Sequence, residues 1–259
     1  MHDLSAMLWV EVRKVLRSRM PLFTSLGALV MPLGISFLIF LARNPDLSRN
    51  LGLMSAKANL TSFYATNWSI YLGFSAQIIA AGGFFLFTFA ISWVFGREFV
   101  DGTLKDMLAV PIPRLTILLA KFIVVAGWSV TLTVIILTLT LLTGALFDLP
   151  QGSVGVILQG IALAATTGLM VITIVLPFAL FASLGRGYLL PMGAAILSLI
   201  LANLVVVIGW GEYFPWSVPG LFAQGKIALA PVSYLIVLIT GLAGVTSTYL
   251  WWKYADQSR

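Results

Sequence analysis

Cysteine is absent from the chain, and histidine occurs once, at His2. Without thiols there is no disulfide framework and no thiolate nucleophile, and one terminal imidazole cannot assemble the ligand set of a zinc site. Intramembrane metalloprotease and thiol-enzyme chemistries are thereby excluded, and no metal site is expected. Charge is scarce as well: Asp, Glu, Lys and Arg make up 9% of the residues, nine acids against fifteen bases. The remainder is largely apolar, 60% of the chain, with a mean hydropathy of +1.03. A soluble domain, which must present a polar surface to water, does not reach such values.

A chain of this composition belongs in a bilayer, where every backbone polar group must be satisfied internally, so it crosses as helices or as a closed barrel. The apolar runs are too long for barrel strands. Six of them, at 22–42, 70–94, 116–146, 154–184, 189–210 and 231–252, reach or exceed the ~20 residues that a helical crossing needs. The expected fold is an all-α integral membrane protein with six transmembrane helices in a single domain, 1–259. The third and fourth runs exceed a perpendicular crossing, which predicts tilt, projection into water, or a kink at Pro177; Pro32 should bend the first span.

Orientation follows from the bases. With the N-terminus in the cytoplasm, eleven of the fifteen Lys and Arg fall in inner segments, and only Arg43, Arg49, Lys57 and Lys226 fall outside. Both termini are therefore expected in the cytoplasm. The same rule accounts for the pI of 9.8 without nucleic acid, since no basic patch interleaved with aromatics is present. Six charges in the first twenty residues and a long first apolar run argue for a retained span, not a cleaved signal.

Residues 1–20 read as an amphipathic interfacial helix, with Leu4, Met7, Leu8, Val12, Val15 and Leu16 on one side and Asp3, Arg13, Lys14 and Arg17 mostly opposite. Glu11 falls near the apolar side, where it either pairs with a nearby base or faces a partner. Between the second and third spans, residues 96–114 concentrate three acids and three bases. Thr103 and Asp106 have capping-box spacing before an apolar run that Pro111 ends, which predicts a helix of about two turns. Asp101 and Lys105 are spaced for a helical ion pair, and Leu104, Met107 and Leu108 make an apolar face. A helix resting on anionic headgroups should be rich in Lys and Arg on its polar face; the balance of three to three favours a soluble protein partner.

Other patterns carry less. Gly220, Gly225 and Lys226 imitate P-loop spacing, but Ile227 supplies no hydroxyl for Mg²⁺ and no strand precedes the string. Asn59-Leu60-Thr61 and Asn67-Trp68-Ser69 are sequons that matter only in a glycosylating pathway. Ion-coupled carriers place ionisable groups at mid-membrane, and none lies at the centre of a span here. Gln77, Gln159 and Asn203 are the most polar mid-span residues, suited either to interhelical hydrogen bonds or to a substrate path.

Taken together, Arg97-Glu98, Gly102-Thr103-Leu104, Leu108, Pro111, Arg114 and Lys121 directly after the second span resemble the first cytoplasmic loop of ABC-2 type exporter permeases. The N-terminal Glu11, Lys14, Leu16, Arg17, Ser18 and Arg19 are similar to the segment before the first span in that family. The resemblance implies an exporter subunit of the bacterial inner (plasma) membrane that pairs with a second permease, identical or not, and with two copies of an ATP-binding subunit. It implies that residues 96–114 form the coupling interface, with Glu98 and Arg114 as polar contacts, Leu104, Met107 and Leu108 as the apolar seat, and Gly102 and Pro111 as turns. Glu11 and Lys14 would brace it from the N-terminal helix. ATP and Mg²⁺ would be bound by the partner alone, and this chain would need no cofactor and catalyse nothing itself. Residues 211–230 would form an external loop with short helices. The substrate class is a drug, an antibiotic peptide or a lipid-like molecule; the competing classes are an ATP-independent secondary transporter and a membrane scaffold.

Overall fold

The structure is a computed structural model and describes residues 2–44, 66–225 and 229–254, together with all their side chains except those of His2 and Leu108. The sequon at Asn59, the bases Arg49, Lys57 and Lys226, and Ile227 of the P-loop-like string lie outside the described residues. Every regular element among the described residues is helical. In chain order they are α1 (His2–Leu16), α2 (Met20–Arg43), α3 (Trp68–Ile78), a π-turn (Ile79–Gly83), α4 (Phe84–Val100), α5 (Leu104–Ala109), α6 (Arg114–Leu146), α7 (Val154–Val175), α8 (Phe178–Leu184), α9 (Leu189–Val207), a 3₁₀ turn (Gly211–Tyr213), α10 (Val218–Gln224) and α11 (Pro231–Tyr254). Six rods among these are long and apolar enough to cross a membrane: α2, α3–α4, α6, α7–α8, α9 and α11.

The rods α3–α4 and α7–α8 occupy the centre. Residue chemistry explains why: Phe84, Phe87, Ile91 and Phe95 of α4 and Val171, Val175 and Phe178 of α7–α8 are fully buried, whereas α9 turns Leu189, Ile196, Leu197, Ile200 and Leu204 outward. In a bilayer that outward surface is solvated by lipid chains and costs nothing. The break between α7 and α8 falls at Leu176 and Pro177, where the missing N–H and the ring end the first helix. Beside it α11 packs against the backbone: a Cβ placed on Gly244 would lie 2.5 Å from the Pro177 nitrogen. Further along α11, Trp252 is fully buried and its indole N–H donates to Ser183 Oγ at 2.9 Å.

Two elements differ from expectation. The second rod continues as helix to Val100, so Arg97 and Glu98 stand on its last turn and not in a loop. The apolar positions of α1 divide between two faces, with Met7 and Val15 buried against the bundle and Trp9, Val12 and Leu16 turned away from it.

A candidate coupling site

Four charged side chains from three segments meet at one end of the bundle. Lys121, on the second turn of α6, is fully buried; its ammonium donates to Glu98 Oε1 at 2.7 Å, to Glu11 Oε2 at 3.1 Å and to the Val94 carbonyl at 2.9 Å. Lys14 donates to the same two carboxylates, at 2.8 Å to Glu11 Oε1 and 3.0 Å to Glu98 Oε1. Two carboxylates against two ammoniums make a neutral cluster, the condition under which charge tolerates loss of water. Burial alone would push the Lys14 ammonium down, but the carboxylates of Glu11 and Glu98 outweigh it and hold its pKa above the ordinary lysine value.

The neighbouring groups extend this tie. Arg97 pairs with Asp101 at 2.9 Å, lies over the Trp93 ring and reaches the Lys14 carbonyl at 3.4 Å. Asp101 is thus held by the helix before it and not by Lys105 after it, because it caps the end of α4 and is not part of α5. Arg114 donates to the Trp252 and Lys253 carbonyls at the end of α11, so its guanidinium is engaged within the chain.

The short helix between the stems forms where expected, over Leu104–Ala109, but its cap does not. Gly102 takes a positive φ of 70° to turn the chain, and Thr103 follows at φ −88°, ψ 2°, with no side-chain hydrogen bond to α5. An N-cap hydroxyl reaches back to the first turn from an extended backbone, which Thr103 lacks. The direction of the apolar face also needs correcting. Leu104 is only 7% exposed and Met107 is half-buried, and both pack inward, Leu104 into the bundle core and Met107 also against the Met7, Ile117 and Ala120 cluster. Glu98, 2% exposed, is likewise an internal group. What α5 presents outward is Lys105, Asp106, Ala109 and Val110, flanked by Gly102, Thr103 and Pro111. Between α5 and α1 runs a groove of about 490 Å³, floored by Met7, Val10, Met107 and Ile117 and bordered by Arg97 and Asp106.

Lys121, the hub of the cluster, was legible only as part of a sequence pattern. The signal that would have found it is a lysine inside an otherwise apolar run, which persists only with partners. The mid-span polar residues separate: Gln77 and Asn203 line one cavity, whereas Gln159 is exposed elsewhere on α7 and makes no hydrogen bond among the described residues. No metal-holding group of three His, Asp or Glu side chains occurs among the described residues.

No solved structure matches the chain. Residues 7–205 match the family described as ABC-2 family transporter protein. The bacitracin transport permease protein BCRB of Bacillus licheniformis is 27% identical over 171 residues, which cover 64% of this chain and 81% of that protein. A family match that runs from α1 through five of the six membrane-length rods, the four-charge cluster included, means that the chain belongs to the ABC-2 transporter family and is a multi-pass membrane permease.

Proposed function

We propose that this permease is the membrane subunit of an ATP-driven exporter in the bacterial plasma membrane, with both termini and α5 in the cytoplasm. A second permease and two copies of a separate ATP-binding subunit complete the assembly, and ATP with Mg²⁺ is bound by that subunit. The buried cluster of Glu11, Lys14, Glu98 and Lys121 carries the reading, because it fixes α1 and both stems of α5 into one rigid platform at the end of the bundle. A helix that merely floated on headgroups would not need such an anchor.

The partner's socket then meets the outward edge of α5, at Lys105, Asp106, Ala109 and Val110. Leu104 and Met107 back that edge from inside. When the ATPases close, displacement of α5 passes to α4 and α6 together, since Lys121 ties the end of one to the start of the other. The cargo is an amphiphile of the antibiotic-peptide, drug or lipid-like class; the bacitracin permease among its relatives supports the peptide reading.

Co-expression of the tagged chain with an ATP-binding protein encoded beside it tests this. The two should co-purify, and Val110→Asp on the exposed edge should abolish association while the permease still elutes as a single species. Failure of any ATPase to associate would overturn the proposal in favour of ATP-independent transport.

A further inference from the structure

Toward the opposite end of the bundle, α3, the π-turn, α9 and α10 border an open cavity of about 240 Å³, in which the Gln77, Asn203 and Gln224 side chains are exposed. Its apolar wall is made of Ala80, Ala81, Leu199, Ala202 and Leu221. Three carboxamides, Gln77, Asn203 and Gln224, converge on it together with Trp216 and Ser217. Among the described residues, no ionisable side chain lines it.

The hydrogen-bonding capacity of these groups is largely unspent. Gln77 and Gln224 make no hydrogen bond among the described residues. Gln77 stands about 14 Å along the helix from Trp68, at nine residues of ~1.5 Å rise, and is well inside the apolar layer. Asn203 uses its amide to donate to the Leu199 carbonyl at 2.8 Å, which leaves its oxygen unpaired. The Trp216 indole N–H is buried with no partner. Ser217 donates to backbone carbonyls and keeps lone pairs to accept. An unpaired amide at the depth of Gln77 and a buried indole N–H without a partner at Trp216 cost free energy, and such groups persist where something completes them. The π-turn at Ile79–Gly83 places Ala80 and Ala81 against the cavity; such turns concentrate at functional sites.

We propose that this cavity binds an uncharged, amide-bearing head group of an amphiphile, with Gln77, Asn203 and Trp216 as its hydrogen-bonding residues. The inference rests on the reading of the chain as a permease and specifies the chemistry of one portion of its cargo. Carboxamides both donate and accept, and they match a ligand amide that does the same. A carboxylate or an ammonium would lose its hydration with no counter-charge to meet it. The volume suits one head group and not a whole drug-sized molecule, so the apolar remainder of the ligand stays in the membrane.

The absence of native cysteine makes a direct test possible. A Cβ at Gly220, which lines the cavity, meets nothing within 4 Å, and the same holds at Gly155, which does not line it. The full chain carrying Gly220→Cys, reconstituted in nanodiscs, is titrated with decanamide, decanoate or decylamine while N-ethylmaleimide labelling is followed; Gly155→Cys is the control. Decanamide should slow labelling at 220 saturably and leave 155 unchanged, and the charged analogues should act only at far higher concentration. Adding Gln77→Leu or Asn203→Leu should weaken protection by decanamide about tenfold, the loss expected for one unpaired hydrogen-bonding group. Equal protection by all three amphiphiles would reduce the cavity to an apolar notch. No protection, or disulfide formation between two Gly220→Cys copies that shows a second permease covering the site, would also overturn the proposal. Labelling needs no ATPase, so a failure here is distinct from a failure of the exporter reading.

Discussion

Lys121 carries its charge where no water reaches it, and its stability there depends on the carboxylates of Glu11 and Glu98. Replacing it with Met leaves two buried carboxylates to share Lys14, a change expected to cost about 3–5 kcal/mol. The thermal midpoint of Lys121→Met in detergent should drop accordingly. Adding Glu98→Gln restores neutrality, and the double variant should regain more than half of the loss; strict additivity of the two effects would mean that the cluster is not a unit. Lys14 provides a test by pH. Its pKa is raised above the ordinary 10.5, so its contribution is complete below that value and is lost as pH climbs through the higher folded value. A fluorophore on Asp3→Cys should keep constant anisotropy up to about pH 10 and lose it only above, as α1 detaches. A loss of anisotropy near neutral pH would contradict the raised value.

At the scale of elements, what was legible in the sequence was what depends on local composition. Span lengths follow from apolar runs, the break at Pro177 from a missing N–H, and the extent of α5 from Pro111. Which way α5 faces was not legible, because Leu104 and Met107 are apolar whether they seat in a partner or in the chain's own core, and only the arrival of α1 and α6 decides. The capping box failed for a related reason: spacing specifies residue types, but Gly102 sets the backbone angle that leaves Thr103 unable to reach back. Helix crossings offer a prediction of the same kind. Gly244→Ala places a methyl group against the backbone of Pro177, which cannot yield, and should cost about 1–3 kcal/mol or more. Gly73→Ala on α3 meets nothing within 4 Å and should be neutral or stabilise by up to about 1 kcal/mol. Comparing the two thermal midpoints separates close packing from helix propensity.

For the whole molecule, the question is whether α1 and α5 travel as one body with the spans. Three kinds of tie join them: the four-charge cluster, the Arg97 contact with the Lys14 carbonyl, and the shared apolar floor of Met7, Ile117 and Met107. Salt screens the exposed Arg97–Asp101 pair beside these ties but not the fully buried Lys121. If the platform moves rigidly, a covalent link between its parts adds nothing that is not already fixed. In the cysteine-free background, Ala6→Cys on α1 and Ile112→Cys, which follows α5 and is not on its outward edge, both line the α1–α5 groove and can be joined by a bifunctional maleimide. Cross-linked permease in the proposed assembly should then support ATP hydrolysis and amphiphile export as well as the unlinked double variant. If the link stops both while assembly is intact, α1 slides over α5 during the cycle, and the cluster around Lys121 is a latch that opens, not a fixed joint.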